Sequence, residues 1–353
     1  MDIIAKCAFG TDTNANQDKN NPFIVNGKGV FEVNLLRALI FTFVPSPILK
    51  ILKIFLRSFL EERKENAEFF LNVARHIIKK RRENNERRED FLQLLIDCQD
   101  AEKVNKRIEK IKKNSQKNQI DAESHYNGEN DQYNYYKQSH NEKPLSDDEI
   151  IAQAWVFFLA GFETTASTLS YCTYELAVNQ HVQDKLYKEI KAIENEHGSI
   201  DYETLAKLPY LDAVVSETLR KYPPVARLQR HASQSYQLGN TGIKLDKGSM
   251  VNILVYVMHH NEEYFPSPEQ FKPERFLPEN RDLIKPYTYL PFGIGPRNCV
   301  GMRFGLLETK LTLAKIIKKY KFVKSPNTQV PLEFLPLRAV LTAKSIIIGV
   351  KHR

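Results

Sequence analysis

Apolar side chains return at helical spacing from about residue 59 to 98, through Phe69, Phe91, Leu94 and Leu95, among strong helix formers. That pattern predicts helix across the stretch. It then stops: residues 101–143 hold only Val104, Ile108, Ile111 and Ile120 as large aliphatics, amid Asn, Gln, Lys and Glu. Such a segment buries too little surface to offset chain entropy, so 101–143 is expected to be a disordered insertion. Order resumes where Ser146 and Glu149 form a capping-box pattern ahead of an apolar run over 150–176, which reads as one long buried helix. Further helices are expected near 181–196 and 211–221, the second stopped by Pro223 and Pro224. Short strands are expected within 227–255, with turns at 239–242 and 246–248. A proline-rich meander over 261–291 leads to a glycine-rich loop. The amphipathic run that follows closes on lysines suited to a helix C-terminus. The fold class is therefore mainly α with a small β component.

Charge and cysteine usage narrow the partners. Of the net charge of +8, half sits in residues 79–88, where six basic and two acidic side chains fit a basic helix end. This favours no nucleic acid partner. Cys7, Cys98, Cys172 and Cys299 are too widely spaced for a CxxC pair or a compact disulfide framework. Any cysteine that matters acts alone, as buried filler, nucleophile or metal ligand. The opening residues lack a basic start followed by an apolar run, so no signal peptide is expected. No span reads as a membrane helix either. The best candidate, 35–60, is broken by Pro45 and Pro47 and carries Arg37, Lys50, Lys53 and Arg57. It suits an interfacial helix or a buried amphipathic one.

The most specific string is Phe292-Gly293-Ile294-Gly295-Pro296-Arg297-Asn298-Cys299-Val300-Gly301. It matches all six fixed positions of F-G-x-G-x-R-x-C-x-G, for which chance odds are on the order of 10⁻⁵ or less. Gly293 and Gly295 permit a tight turn, and Cys299 falls where the next helix is expected to begin, so helix-terminal amides should favour a thiolate. Two other segments stand out. Ala160-Gly161-Phe162-Glu163-Thr164-Thr165 places a glycine, an acid and hydroxyls in the middle of an apolar helix, where each is locally unfavourable. Glu217 and Arg220 stand three apart on a helix, ahead of Pro273-Glu274-Arg275-Phe276. His259 and His260 look like ligands, but neighbours in sequence do not face the same way, and they read as structural.

Together these strings resemble the cytochrome P-450 family of haem-thiolate monooxygenases. The string around Cys299 is most similar to the branch of microsomal drug-metabolising enzymes that includes thromboxane synthase. The resemblance runs over residues 1–353 apart from 101–143, as a partial, N-terminally truncated cytochrome P-450 domain. It implies haem b (iron protoporphyrin IX), with Cys299 as the iron ligand and with Phe292, Gly293 and Gly301 shaping the loop. It gives Arg297 and Arg230 to the haem propionates. Thr164 orders dioxygen and a water, Glu163 helps deliver protons, and Glu217, Arg220 and Arg275 form a structural charge network. The apolar residues Phe157, Phe158, Ala160, Val225 and Ala226 are expected to line the substrate pocket.

The implied reaction inserts one oxygen atom into a lipophilic small molecule, using electrons from an NADPH-dependent reductase on the cytoplasmic face of the endoplasmic reticulum membrane. The rival readings are a haem-thiolate isomerase of the thromboxane synthase type and a non-catalytic fragment.

Overall fold

The computed structural model describes residues 1–15, 18, 20–31, 63–99, 145–336 and 338–353. The expected interfacial stretch 35–60 and the expected insertion 101–143 lie outside the described residues. Two compact units are present, Met1–Glu163 and Thr164–Arg353.

In the first unit α1 (Asp2–Phe9) ends on Gly10, which takes a left-handed conformation with φ 58°. Next come α2 (Pro22–Phe31), α3 (Arg63–Glu83), α4 (Phe91–Asp97) and the N-terminal half of α5 (Asp147–Val178). The single helical stretch expected over 59–98 is thus two helices. Asn85 turns the chain at φ 49°, a conformation asparagine tolerates better than most residues. Asp90 then starts α4 by accepting the Gln93 N–H at 2.9 Å.

Asp90 also explains part of the basic run. Arg81 is only 5% exposed and donates to Asp90 at 2.8 and 2.5 Å and to the Phe9 carbonyl at 2.9 Å. The cap of α4 and the last turns of α3 therefore share one buried carboxylate. At the start of α5 the capping box forms as the pattern predicts: the Glu149 carboxylate accepts the Ser146 N–H at 2.7 Å and the Ser146 hydroxyl accepts the Glu149 N–H at 3.3 Å.

Gly161 has a packing reason to be glycine. A Cβ there would lie 2.7 Å from Ile4 Cδ1, inside van der Waals contact, so its absence lets α1 approach α5. Phe158, expected in a substrate pocket, is instead core: it is 1% exposed and stacks on Phe9 with centroids 3.9 Å apart. Phe157 stacks on Phe91 at 3.7 Å. Among the described residues α5 alone is long and apolar enough to cross a membrane, contrary to the expectation that no span would be. Core helices pass the same test, and Ile150, Ala154, Tyr171, Cys172 and Leu176 along α5 are buried.

The second unit holds the rest of α5, then α6 (Gln180–His197), α7 (Tyr202–Leu205), α8 (Pro209–Lys221) and α9 (Val255–His259). Pro209 opens α8 at a position where its missing N–H costs nothing. Strands β1 (Leu228–His231) and β4 (Met250–Ile253) pair antiparallel, as do β2 (Tyr236–Gln237) and β3 (Lys244–Leu245). The meander contains 3-10 turns at Pro273–Phe276 and Pro278–Leu283, each begun by proline. After the glycine-rich loop come α10 (Met302–Lys319) and an antiparallel pair, β5 (Tyr320–Val323) with β6 (Gly349–His352). Leu176, Leu186, Leu211, Val214, Leu313 and Ile317 form the apolar centre of this unit.

Beside that centre lies a fully buried ion pair. Arg220 donates to both Glu217 oxygens at 2.7 and 2.9 Å, and neither side chain has any exposure. Backbone supplies further partners: Arg220 also donates to the carbonyls of His259 at 2.8 Å and Pro268 at 2.6 Å. Glu217 Oε1 accepts the Lys272 N–H at 2.9 Å. Arg275 completes the network, 3.4 Å from Glu217 and donating to the Ser267 carbonyl at 2.9 Å. The expected charge network is present, and it ties α8 to the start of the meander.

His259 extends it. Its Nδ1 faces the Arg220 carbonyl at 3.0 Å, and a carbonyl can only accept, so Nδ1 carries the proton. Nε2 is then free to accept the Leu290 N–H at 2.9 Å. Burial lowers its pKa from 6.5 to about 3, which keeps the ring neutral.

Breaking this network should be costly. Glu217→Gln leaves a buried guanidinium short of its counter-charge, so a loss of about 3 kcal/mol or more is expected in urea denaturation. Glu263→Gln, at the exposed pair with Lys285, should cost less than about 1 kcal/mol. A second expectation concerns acid. The folded-state pKa of His259 lies below its unfolded value, so its contribution is complete above pH 6.5 and is lost as pH falls toward about 3. His259→Gln, which retains a donor and an acceptor, should flatten the fall of denaturation midpoint with pH across that window. An unchanged slope would reject the assignment.

Candidate functional site

The glycine-rich loop is built by three backbone hydrogen bonds. The Gly293 N–H reaches the Leu290 carbonyl at 3.1 Å, the Asn298 N–H reaches Gly295 at 3.0 Å, and the Cys299 N–H reaches Phe292 at 2.8 Å. Closing so tight a loop needs left-handed backbone at two points. Gly293 (φ 71°) and Gly295 (φ 80°) supply it where a side chain would be strained. Leu290 links the loop to the core, because its N–H is held by His259 and its carbonyl begins the turn. Phe292 packs against the apolar centre of the unit.

Cys299 is at the surface, three residues before α10, whose N-cap is Gly301. The expectation that several helix amides would favour its thiolate is only partly met. The Gly301 N–H bonds the sulfur and lowers the thiol pKa, but desolvation by the surrounding protein outweighs it and the net direction is up. One backbone donor does not hold a thiolate by itself. A cation at the sulfur does, by direct Coulomb attraction.

The donor set has a definite character. Among the described residues no cluster of three or more His, Cys, Asp or Glu side chains could hold a metal ion. An iron held at Cys299 inside a macrocycle would need no such cluster. The surroundings fit a flat apolar group: Val300 is 82% exposed and Ile294 and Phe304 are also exposed. A Cβ on Gly295 or Gly301 would meet nothing within 4 Å. One cation reaches the loop from outside it. Arg230, exposed on β1, directs Nη2 to the Arg297 carbonyl at 3.5 Å and Nη1 to the Gln229 carbonyl at 2.9 Å. The structure thus brings Arg230, Arg297 and Cys299 to one loop.

Thr164 begins the second unit on α5. Its carbonyl accepts from the hydroxyls of Thr168 at 2.8 Å and Ser167 at 3.2 Å. The next residue, Thr165, is buried, and a Cβ on Gly305 of α10 would lie 4.0 Å from its Oγ1. The hydroxyl-rich part of α5 therefore neighbours the helix that follows the cysteine loop. Glu163 precedes Thr164 on the same helix, at the end of the first unit. Of the expected pocket residues in the second unit, Val225 is exposed and Ala226 is half-buried. The link that sequence reasoning missed is His259 to Leu290. Only the folded backbone shows it, since neither residue belongs to a motif.

Known proteins are similar to this chain along nearly its whole length. Probable cytochrome P450 6a13 of Drosophila melanogaster is 38% identical over 334 residues, covering 94% of this chain and 59% of its own length. Cytochrome P450 3A29 of Sus scrofa is 34% identical over 359 residues, covering 100% of this chain and 63% of its own length. Thromboxane-A synthase of Macaca fascicularis is 34% identical over 369 residues, with 100% and 65% covered. The chain spans about three fifths of the length of these curated relatives. The sequence model of the family described as Cytochrome P450 matches residues 1–350. A loop closed around one exposed cysteine, a buried Glu-Arg-Arg network behind it and a match along nearly the whole length lead to one conclusion: this chain belongs to the cytochrome P450 family.

Proposed function

We propose that this chain carries the iron ligand and the proton-handling helix of a monooxygenase that inserts one atom of O2 into a lipophilic small molecule. Its electrons come from NADPH through a flavoprotein reductase, at the cytoplasmic face of the endoplasmic reticulum membrane. The observation that carries the reading is the Cys299 loop, an exposed thiol beside the exposed Val300 in a loop that Arg230 reaches through the Arg297 carbonyl.

Bound haem b supplies the iron at which dioxygen is reduced by two electrons and two protons, one oxygen atom entering the substrate and the other leaving as water. Cys299 would hold that iron through its sulfur, and electron donation from a thiolate favours O–O cleavage. Phe292, Gly293 and Gly301 shape the loop, and Arg230 and Arg297 offer charge-assisted hydrogen bonds to the propionates. The Thr164 hydroxyl holds a water, and Glu163 passes protons toward it.

Thromboxane-A synthase among the relatives favours a second reading, an isomerase that needs neither O2 nor a reductase. The Glu163-Thr164 pair weighs against it, because rearrangement of a peroxide requires no delivery of protons to dioxygen.

After reconstitution with haem, the reduced chain should show a thiolate-type Soret band in its carbon monoxide difference spectrum, and Cys299→Ser should abolish it. Retention of the band in the variant would reassign the ligand, and its absence from the parent chain would favour a non-catalytic fragment. In a reductase-coupled assay with a fluorogenic alkoxycoumarin, Thr164→Ala should lower product formed per NADPH consumed by about tenfold or more, as loss of positioned proton transfer implies. Unchanged coupling would move the assignment toward the isomerase.

A further inference from the structure

The second unit also contains a cleft of about 780 Å³ lined by none of the residues assigned above. That volume lies within the range of small-molecule sites. At its base Glu175 is 2% exposed. One of its oxygens accepts from the Tyr222 hydroxyl at 2.5 Å and the Lys221 ammonium at 2.9 Å, and the other from Asn179 at 2.7 Å. The carboxylate is therefore satisfied.

Lys221 is not. Its side chain is only 13% exposed, and among the described residues its sole hydrogen bond is the one to Glu175, which leaves two of three N–H donors without an acceptor. Lys272, exposed to solvent, also lines the cleft.

The walls are aromatic. Tyr222 lies 6.1 Å from Phe334 between ring centroids, and Tyr256 stacks on His260 at 4.0 Å. Phe271 contributes a further ring. His260 adds no charge, since its Nδ1–H is held by the Tyr256 carbonyl at 2.8 Å and burial lowers its pKa. His181 and Glu269 are exposed on the lining, and Glu269 is the one acid there not already neutralised.

We propose that this cleft is a second small-molecule site, taking a planar aromatic carboxylate with its anionic end on Lys221 and Lys272 and its ring among the wall aromatics. The largely buried Lys221 ammonium calls for a further acceptor, the exposed Lys272 can join it on an anion, and a cleft walled by tyrosine and phenylalanine calls for a flat apolar body. Glu269 opposes the carboxylate, so it weakens binding and sets a ceiling on ligand charge. The site is independent of the haem assignment.

The probe is 2-naphthoate, titrated against the full chain by its own fluorescence and by saturation-transfer NMR, with the neutral 2-naphthamide as its match. Saturable binding of the acid is expected, with the amide at least about fivefold weaker, because charge-assisted bonds exceed neutral ones. Lys272→Met should weaken the acid by about threefold or more and Glu269→Gln should strengthen it by about twofold, opposite signs that general damage to the fold would not produce. Removing Lys221 alone strands a buried acid, so it is replaced together with its partner. Lys221→Met with Glu175→Gln should weaken binding by about tenfold or more. Cys299→Ser should leave it unchanged. No saturable binding at roughly millimolar ligand, equal binding of acid and amide, or shifts of the same sign in Lys272→Met and Glu269→Gln would each overturn the proposal.

Discussion

A carboxylate and a guanidinium with no access to water are tolerable only if they bond each other well and find further hydrogen-bond partners. For Glu217 and Arg220 the obligation is met by segments that come to them: the end of α9, the chain around Ser267 and Pro268, and the N–H of Lys272. The meander has almost no regular secondary structure to hold its shape, and this network does it instead. The same obligation reaches the cysteine loop. Arg220 orients His259, His259 holds Leu290, and Leu290 begins the turn that leads to Cys299. The loop's position is thus set by a neutral histidine locked between two backbone groups.

What the loop presents is a surface sulfur rather than a pre-ionised nucleophile. Desolvation holds the proton on, and a single amide from Gly301 pulls the other way. A catalytic cysteine of the acyl-transfer kind would need a paired base, and the residues gathered here are arginines, which cannot serve as one. An exposed thiol beside uncovered aliphatic side chains, in a loop that the Arg230 guanidinium reaches, instead suits a large, flat, anionic-edged cofactor.

Much of this was legible in the sequence. The capping box at Ser146, the long α5 and the Gly293 and Gly295 turns are local chemistry, and local chemistry is written in adjacent residues. The Glu217, Arg220 and Arg275 network was legible only through resemblance, since a three-residue acid–base spacing is common on helices. Other features depended on distant partners. The break at Asn85 turns on a cap that also serves Arg81, and Phe158 lies in the core because Phe9 stacks on it. Gly161 is glycine as much for Ile4 as for anything at a reacting centre. Apolar residues on an apolar helix do not announce which of them face a cavity.

The distance along the chain between Arg220 and the groups that satisfy it has a bearing on biosynthesis. The two charges leave the ribosome on α8, whereas His259, Pro268 and Lys272 follow 39 to 55 residues later and Leu290 later still. At roughly 5–20 residues per second, α8 waits several seconds with its ion pair solvated. The cysteine loop, last to be anchored, cannot take its final shape before then. The turn that leads to Cys299 is consequently a late-forming part of the fold, for which most of the chain must already be made.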